Sequence, residues 1–242
     1  MSSIETILSP ALFGRRTTAA GHTTVAVDIL RATTSICAAF AAGAAEVVPL
    51  GSLDELERYR AEGYTLAAER MGKKVNGAQC GNSPTEYRSM QLDGRRLAYS
   101  TTNGTLAILL AAGAGQTLIG SFSNISALAA RLASEGRDAV LLCSGWLGSA
   151  SLEDTLFCGA LASRLTDTGA FGPCDDATLM AMRLWQAAAA DPYAFCAAAT
   201  HVQRLQGIGY DRDVRFALQA DTCLVTPMVY AADDGHFTIK PL

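Results

Sequence analysis

The sequence predicts an α/β protein built on a mostly parallel sheet, and three observations carry that prediction. Short apolar, often β-branched runs alternate with helical runs along most of the chain. These runs end in polar residues that open the next helix, as where Val25-Ala26-Val27 delivers Asp28, followed by Arg31, Thr33 and Thr34. The two halves also echo each other. Ala41-Ala42-Gly43 followed by Gly51-Ser52-Leu53 aligns with Ala111-Ala112-Gly113 followed by Gly120-Ser121-Phe122, which sets Thr33 opposite Asn103. The echo predicts two similar α/β units, residues 1–92 and 93–242, the second with extra C-terminal helices, and a site in the cleft between them.

In order, residues 2–13 read as a strand or arm and 14–21 as a polar connector. The Asp28 strand leads into a helix over 35–42, a strand over 46–50, and a helix from Gly51-Ser52 to Gly63 with Asp54 and Glu55 in its first turn. A strand over 64–68 ends in Glu69-Arg70. Residues 71–92 form a long Gly- and Asn-rich loop, in which Gly81-Asn82-Ser83-Pro84 either serves function or caps a helix over 85–90. A strand over 97–100 meets Thr101-Thr102-Asn103-Gly104-Thr105, which opens a helix to 112. Then come a strand over 117–119, a helix from Gly120–Asn124 to 134, a strand over 139–143, the turn Ser144–Ser149 and a helix over 152–165. Helices over 175–190, 192–206 and 211–219, a strand over 223–228 and a short tail complete the chain.

Composition narrows the function classes. Half of the 242 residues are hydrophobic, enough for a substantial core. A net charge of −4 without a basic stripe argues against nucleic acid as a partner. No apolar run has transmembrane length, and the first residues lack signal-peptide order. Seven cysteines without a C-x-x-C pair fit a reduced cytoplasm, and three scattered histidines do not form a zinc set.

In a parallel sheet the polar strand ends share one edge, so their groups converge. Helix N-termini and Arg31 favour an anion such as phosphate. Asp28 tolerates that anion only with something positive between them, so Asp28, Glu69, Glu153 and Asp154 are expected to share a hydrated Mg²⁺. The alternative is that Asp28 merely caps the helix, with Arg31 as its salt-bridge partner. Arg31, Arg70, Thr33, Thr34, Asn82, Ser83 and Thr101–Thr105, together with Asn124, are expected to hold the anion. No G-x-G-x-x-G opens a helix and no P-loop is present. Cys158 and Arg164 fit C-x5-R spacing only inside a helical run. Leu30 stands where an aspartyl-phosphate phosphatase would show a second aspartate. What remains is a metal-bound water attacking phosphorus, with Asp28 or Glu153 as base, or Asp28 itself as nucleophile.

The ordered set Asp28-x-Leu30-Arg31-Ala32-Thr33-Thr34, Glu69-Arg70-x-Gly72, Gly81-Asn82-Ser83-Pro84, Ser100-Thr101-Thr102-Asn103-Gly104-Thr105, Ser123-Asn124 and Glu153-Asp154-Thr155 resembles the 2-phosphosulfolactate phosphatase (ComB-type) family. The segments Gly207–Asp211 and Val225-Thr226-Pro227 resemble its closing part. The resemblance implies two similar three-layer α/β/α units with mostly parallel or mixed sheets. It also implies Mg²⁺-dependent hydrolysis of (2R)-2-phospho-3-sulfolactate to 3-sulfolactate and phosphate, a coenzyme M biosynthesis step. Asp28, Arg31, Glu69 and Glu153 would then be catalytic. The implied partner is a small anionic organic phosphate, with a homodimer left open and no nucleic acid or membrane. Trp146 and Cys80 depart from the pattern where the organic part of a substrate would sit. The competing functions are hydrolysis of another phosphorylated 2-hydroxy acid and non-catalytic binding of an anionic metabolite.

Overall fold

The computed structural model describes residues 1–16, 21–232 and 235–242; part of the connector expected over 14–21 lies outside the described residues. The order is β1 (Ser2–Ile7), a 3-10 turn (Pro10–Arg15), β2 (Thr23–Val27), α1 (Ala32–Ala41), β3 (Glu46–Pro49), α2 (Leu56–Ala61), β4 (Thr65–Arg70), β5 (Lys73–Lys74), α3 (Pro84–Arg88), β6 (Arg96–Ser100) and α4 (Gly104–Ala112). There follow β7 (Thr117–Gly120), a 3-10 turn (Phe122–Asn124), α5 (Ile125–Glu135), β8 (Ala139–Cys143), α6 (Leu152–Asp167), β9 (Phe171–Pro173) and α7 (Asp176–Ala188). The chain ends with α8 (Pro192–Cys196), α9 (Thr200–Gly207), α10 (Asp211–Ala217), β10 (Pro227–Ala231) and β11 (Phe237–Pro241).

The α/β class is as the sequence predicts, with helices layered on a mostly parallel sheet. All the strands lie in one sheet of order β5-β4-β6-β3-β11-β10-β7-β2-β8-β1-β9. The matched order β2-α1-β3-α2 and β6-α4-β7-α5 is present, but the strands cross over between the two segments. β2 pairs in parallel with β7 and β8, while β3 and β4 pair in parallel with β6. Residues 1–92 and 93–242 therefore do not own separate sheets. The antiparallel hairpin β10–β11 fills the gap, pairing with β7 on one side and β3 on the other.

Side-chain alternation divides the core by face. Val25, Val27, Leu118, Leu141 and Cys143 pack under α5, α6 and the C-terminal helices. Ala26, Ile119, Val140, Leu142, Val47, Leu97 and Tyr99 share the opposite face with Ile36, Cys37 and Phe40 of α1 and Ile108 and Ala111 of α4. On the outer face of β3, β4 and β6, a smaller cluster of Val48, Leu66, Ala68 and Ala98 packs with Leu56 and Tyr59 of α2. Every residue of α1 from Ala32 to Phe40 is buried, so this is a helix enclosed by the fold.

Four elements differ from expectation. The helix expected over 192–206 breaks because Ala199 is extended. Alanine is the best helix former, so packing overrides propensity there. The strand expected over 223–228 starts only at Pro227, and the expected tail is β11. The helix expected after Gly51 begins at Leu56.

Helices α6 and α7 meet at Gly159, where an added Cβ would collide with the Ala181 carbonyl. We expect Gly159→Ala to destabilise the fold by about 1–3 kcal/mol, lowering Tm by roughly 2–12 °C. An unchanged melting curve would contradict this packing.

Candidate active site

The strand ends converge on one cleft lined by Asp28, Leu30, Arg31, Glu69, Met71, Gly72, Asn82, Thr101, Thr102, Asn103, Trp146, Leu147, His201, Arg204 and Leu205.

Asp28 follows the last residue of β2. Its Oδ1 accepts from the Ala32 amide at 3.1 Å, so it does cap α1. Burial pushes its carboxyl up to about 6, against the opposing effects of that amide and of His201. Its Oδ2 lies against Gly104, where a Cβ would collide with it and with Ala32. Glycine at the start of α4 is what permits the approach. Glu69 sits at the end of β4, before a two-residue hairpin with positive φ at Met71 and Gly72. Its Oε1 accepts from the Gly72 amide and from Thr102 Oγ1, which fixes it beside the Thr101–Asn103 turn. The Tyr99 hydroxyl donates to Asn82 Oδ1, which directs the amide group of Asn82 as a donor toward the cleft.

Arg31 is not the partner of Asp28. Its two terminal nitrogens donate to Asp213 Oδ2 (2.7 Å) and the Gly72 carbonyl (2.9 Å), and it lies over the Tyr210 ring. The other Asp213 oxygen accepts from Ser83 Oγ (2.8 Å) and Thr85 Oγ1 (2.5 Å). Asp213 thus ties α10 to α3 and to the Arg31 loop with a pair that is 2% exposed on each side. Arg31 borders the cleft with much of its donor capacity already engaged.

Several expected anion ligands serve the scaffold instead, because hydroxyl and amide groups that bind ligands also cap helices. Thr33 Oγ1 donates to the Asp28 carbonyl and accepts from its amide, and Thr34 Oγ1 donates to the Ile29 carbonyl. Ser83 caps α3 by accepting from the Glu86 amide, which is the structural alternative for the Gly-Asn-Ser-Pro turn. Thr105 closes on Thr101 through reciprocal hydrogen bonds. Arg70 turns to the Glu69 carbonyl and Ser100 Oγ. Asn124 completes a capping box with Ser121 and donates to the Ile119 and Val225 carbonyls. Cys80 is buried in the core.

The four carboxylates do not form one cluster. Asp154 Oδ1 accepts from the Ile29 amide (2.8 Å) and Oδ2 from the Gly145 amide (3.1 Å), so Asp154 clamps the Asp28 loop to the Trp146 turn. Burial, with Glu153 and Asp28 nearby, pushes its pKa well above the usual range. Glu153 borders a second cavity and its Oε1 meets His201 Nδ1 at 3.0 Å. Among the described residues no three of His, Cys, Asp and Glu are grouped to hold a metal. Asp28 and Glu69 instead fit the way Mg²⁺ usually binds, through one or two carboxylates with water and substrate phosphate completing its shell.

The sequence reading missed the α9 face. His201, Arg204 and Leu205 follow i, i+3, i+4 spacing and all border the cleft. Arg204 also donates to the Met71 carbonyl, and Ile208, one turn on, packs where a Gly72 side chain would fall.

The fold and cleft define an α/β protein with a small, polar, anion-suited site at the carboxyl edge of its parallel strands. The family model for 2-phosphosulpholactate phosphatase matches residues 8–231, and the chain belongs to that family. It is 31% identical over 207 residues to a probable 2-phosphosulfolactate phosphatase of Caldanaerobacter subterraneus subsp. tengcongensis, covering 84% of this chain and 86% of the relative. Similar proteins with the same description come from Thermotoga petrophila, 33% identical over 90% of this chain and 92% of the relative, and Synechococcus sp. (strain CC9605), 38% identical over 84% and 87%.

Removing one side of the buried Arg31–Asp213 pair leaves an uncompensated charge. We expect Asp213→Ala to cost about 3–5 kcal/mol in denaturant unfolding. A loss below 1 kcal/mol would show that the Arg31 charge is satisfied without it.

Proposed function

We propose that the protein is a Mg²⁺-dependent phosphatase that converts (2R)-2-phospho-3-sulfolactate to 3-sulfolactate and phosphate, a cytoplasmic step of the coenzyme M biosynthesis type. The observation that carries the reading is the match to the family model across residues 8–231. The cleft supports it chemically. Asn82, Thr101, Thr102, Asn103 and the start of α4 supply neutral donors, Arg31 and Arg204 supply positive charge, and Asp28 and Glu69 line the same cleft. A non-catalytic anion binder gains nothing from those two carboxylates. All seven cysteines are free, which suits a reducing compartment. No helix among the described residues is long and apolar enough to cross a membrane.

Asp28 and Glu69 would hold the cation. When bound there, it neutralises phosphate oxygens and makes a coordinated water more acidic. Asp28 would take the proton from the attacking water through the carboxylate oxygen that the cation leaves free. Glu153, turned to His201 and the second cavity, is not placed to be that base. Arg31, Arg204 and the α4 amides oppose charge on the transferring group. A second reading, another phosphorylated 2-hydroxy acid as substrate, draws on the apolar wall of Trp146, Leu147 and Leu205 beside the polar floor.

Two measurements test this. Phosphate release from 2-phosphosulfolactate should be Mg²⁺-dependent and abolished by EDTA, and should exceed release from 2-phospholactate and 3-phosphoglycerate. Preference for another phospho acid would favour the second reading, and no release from any ester would remove the catalytic one. With a chiral phosphate ester, direct water attack inverts the configuration at phosphorus, whereas retention would assign the attack to Asp28 itself.

A further inference from the structure

Resting on the phosphatase reading, we propose that His201 is the catalytic acid that protonates the leaving oxygen, and that Glu153 and Trp146 are the residues that position it. His201 borders the cleft from α9, together with Asp28, Glu69 and the donors of the Thr101–Asn103 turn. Its Nδ1 meets Glu153 Oε1 at 3.0 Å. Nδ1 is thereby occupied, and Nε2 has no hydrogen-bond partner among the described residues. Glu153 is 2% exposed, and its Oε2 is buried without a partner, so its contact with His201 is its only side-chain hydrogen bond among the described residues. A buried carboxylate accepting from Nδ1 fixes the ring's orientation and keeps a proton on that nitrogen, so the proton the charged imidazolium gives up is the one on Nε2.

The ring plane is set from its other side. Trp146 stacks on His201 with centroids 5.3 Å apart and planes 7° from parallel. The turn that presents Trp146 is made for that purpose: Leu147 and Gly148 both have positive φ, and Trp146 pairs with Ser149 across them. An added Cβ at Gly145 would strike the Ser149 carbonyl, and Ser9 Oγ donates to the Gly148 carbonyl to hold the tip. The stacked pair forms the partition between the cleft and the cavity beyond it, since Trp146, Leu147 and His201 border both. Glu153 lines only the far cavity and reaches the cleft through the imidazole.

The step balances without another reactant. Water oxygen forms a bond to phosphorus and gives a proton to Asp28, the ester P–O bond breaks, and the Nε2 proton passes to the departing alkoxide oxygen. Solvent then returns a proton to His201 and removes one from Asp28. An alkoxide is a poor leaving group, so the donation should count most with an alkyl ester and least with an aryl ester whose phenolate departs unaided.

That contrast is the test. With Mg²⁺ present, His201→Gln should lower kcat on 2-phospholactate by roughly 10²–10⁴-fold with little change in KM, while its loss on p-nitrophenyl phosphate is far smaller. Glu153→Gln, which keeps the shape of the side chain, should show the same split at smaller size and with unchanged thermal unfolding. Equal losses on both esters in either folded variant, or a rise in KM alone on 2-phospholactate, would overturn the proposal in favour of a structural or anion-binding histidine. Wild-type enzyme inactive on 2-phosphosulfolactate as well as on both of these esters would instead reject the phosphatase reading on which the proposal rests.

Discussion

The site depends on one close approach, that of Asp28 to the backbone of Gly104. β2 and β6 stand five places apart in the sheet, which in a flat sheet would separate them by about 24 Å. The residues that follow them nevertheless touch. The sheet therefore twists between them, and α1, buried from Ala32 to Phe40, packs on the face it shares with α4. The small side chains of α1 and α4, among them Ala38, Ala39, Ala107 and Ala111, allow that closeness. The close approach accounts for both properties of Asp28. It brings the carboxylate to the mouth of a second helix, and it removes enough water to raise the carboxyl's affinity for a proton.

A fold that buries this many carboxylates must give each one donors, or leave it costly. The chain answers differently at each position. Asp154 spends both oxygens on backbone amides of two loops. Asp213 takes a guanidinium and two hydroxyls. Glu153 takes an imidazole. Asp28 and Glu69 each hold local amides and face the cleft. The three outside the cleft organise it: Asp154 locks the Asp28 loop to the Trp146 turn, Asp213 locks Arg31 to Ser83 and Thr85, and Glu153 orients His201.

What was legible in the sequence follows from strand-to-helix punctuation. Asp28, Glu69 and Thr101–Asn103 stand where a strand ends, and parallel strand ends must share an edge. The strand crossing between the two echoing segments was not legible, because pairing partners leave no mark in either strand's own pattern. Thr33, Thr34, Thr105 and Asn124 read as anion ligands for a physical reason: the groups that satisfy free helix amides are those that would satisfy a phosphate. His201 and Arg204 were hidden differently. Their spacing is ordinary for an amphipathic helix, and only the break at Ala199, unannounced by any residue near it, turns that face toward the cleft.

The charges in the cleft lead to its last constraint. Two carboxylates face two guanidiniums, and one guanidinium is already paired with Asp213. A substrate carrying phosphate and further acid groups would enter with no surplus of positive charge to meet it. Neutral donors position an anion but do not balance it. That imbalance is the electrostatic ground for the cation proposed at Asp28 and Glu69. Trp146, Leu147 and Leu205 add apolar surface to the same lining. A reacting group buried against that surface would feel each remaining interaction with the cleft more strongly than in water.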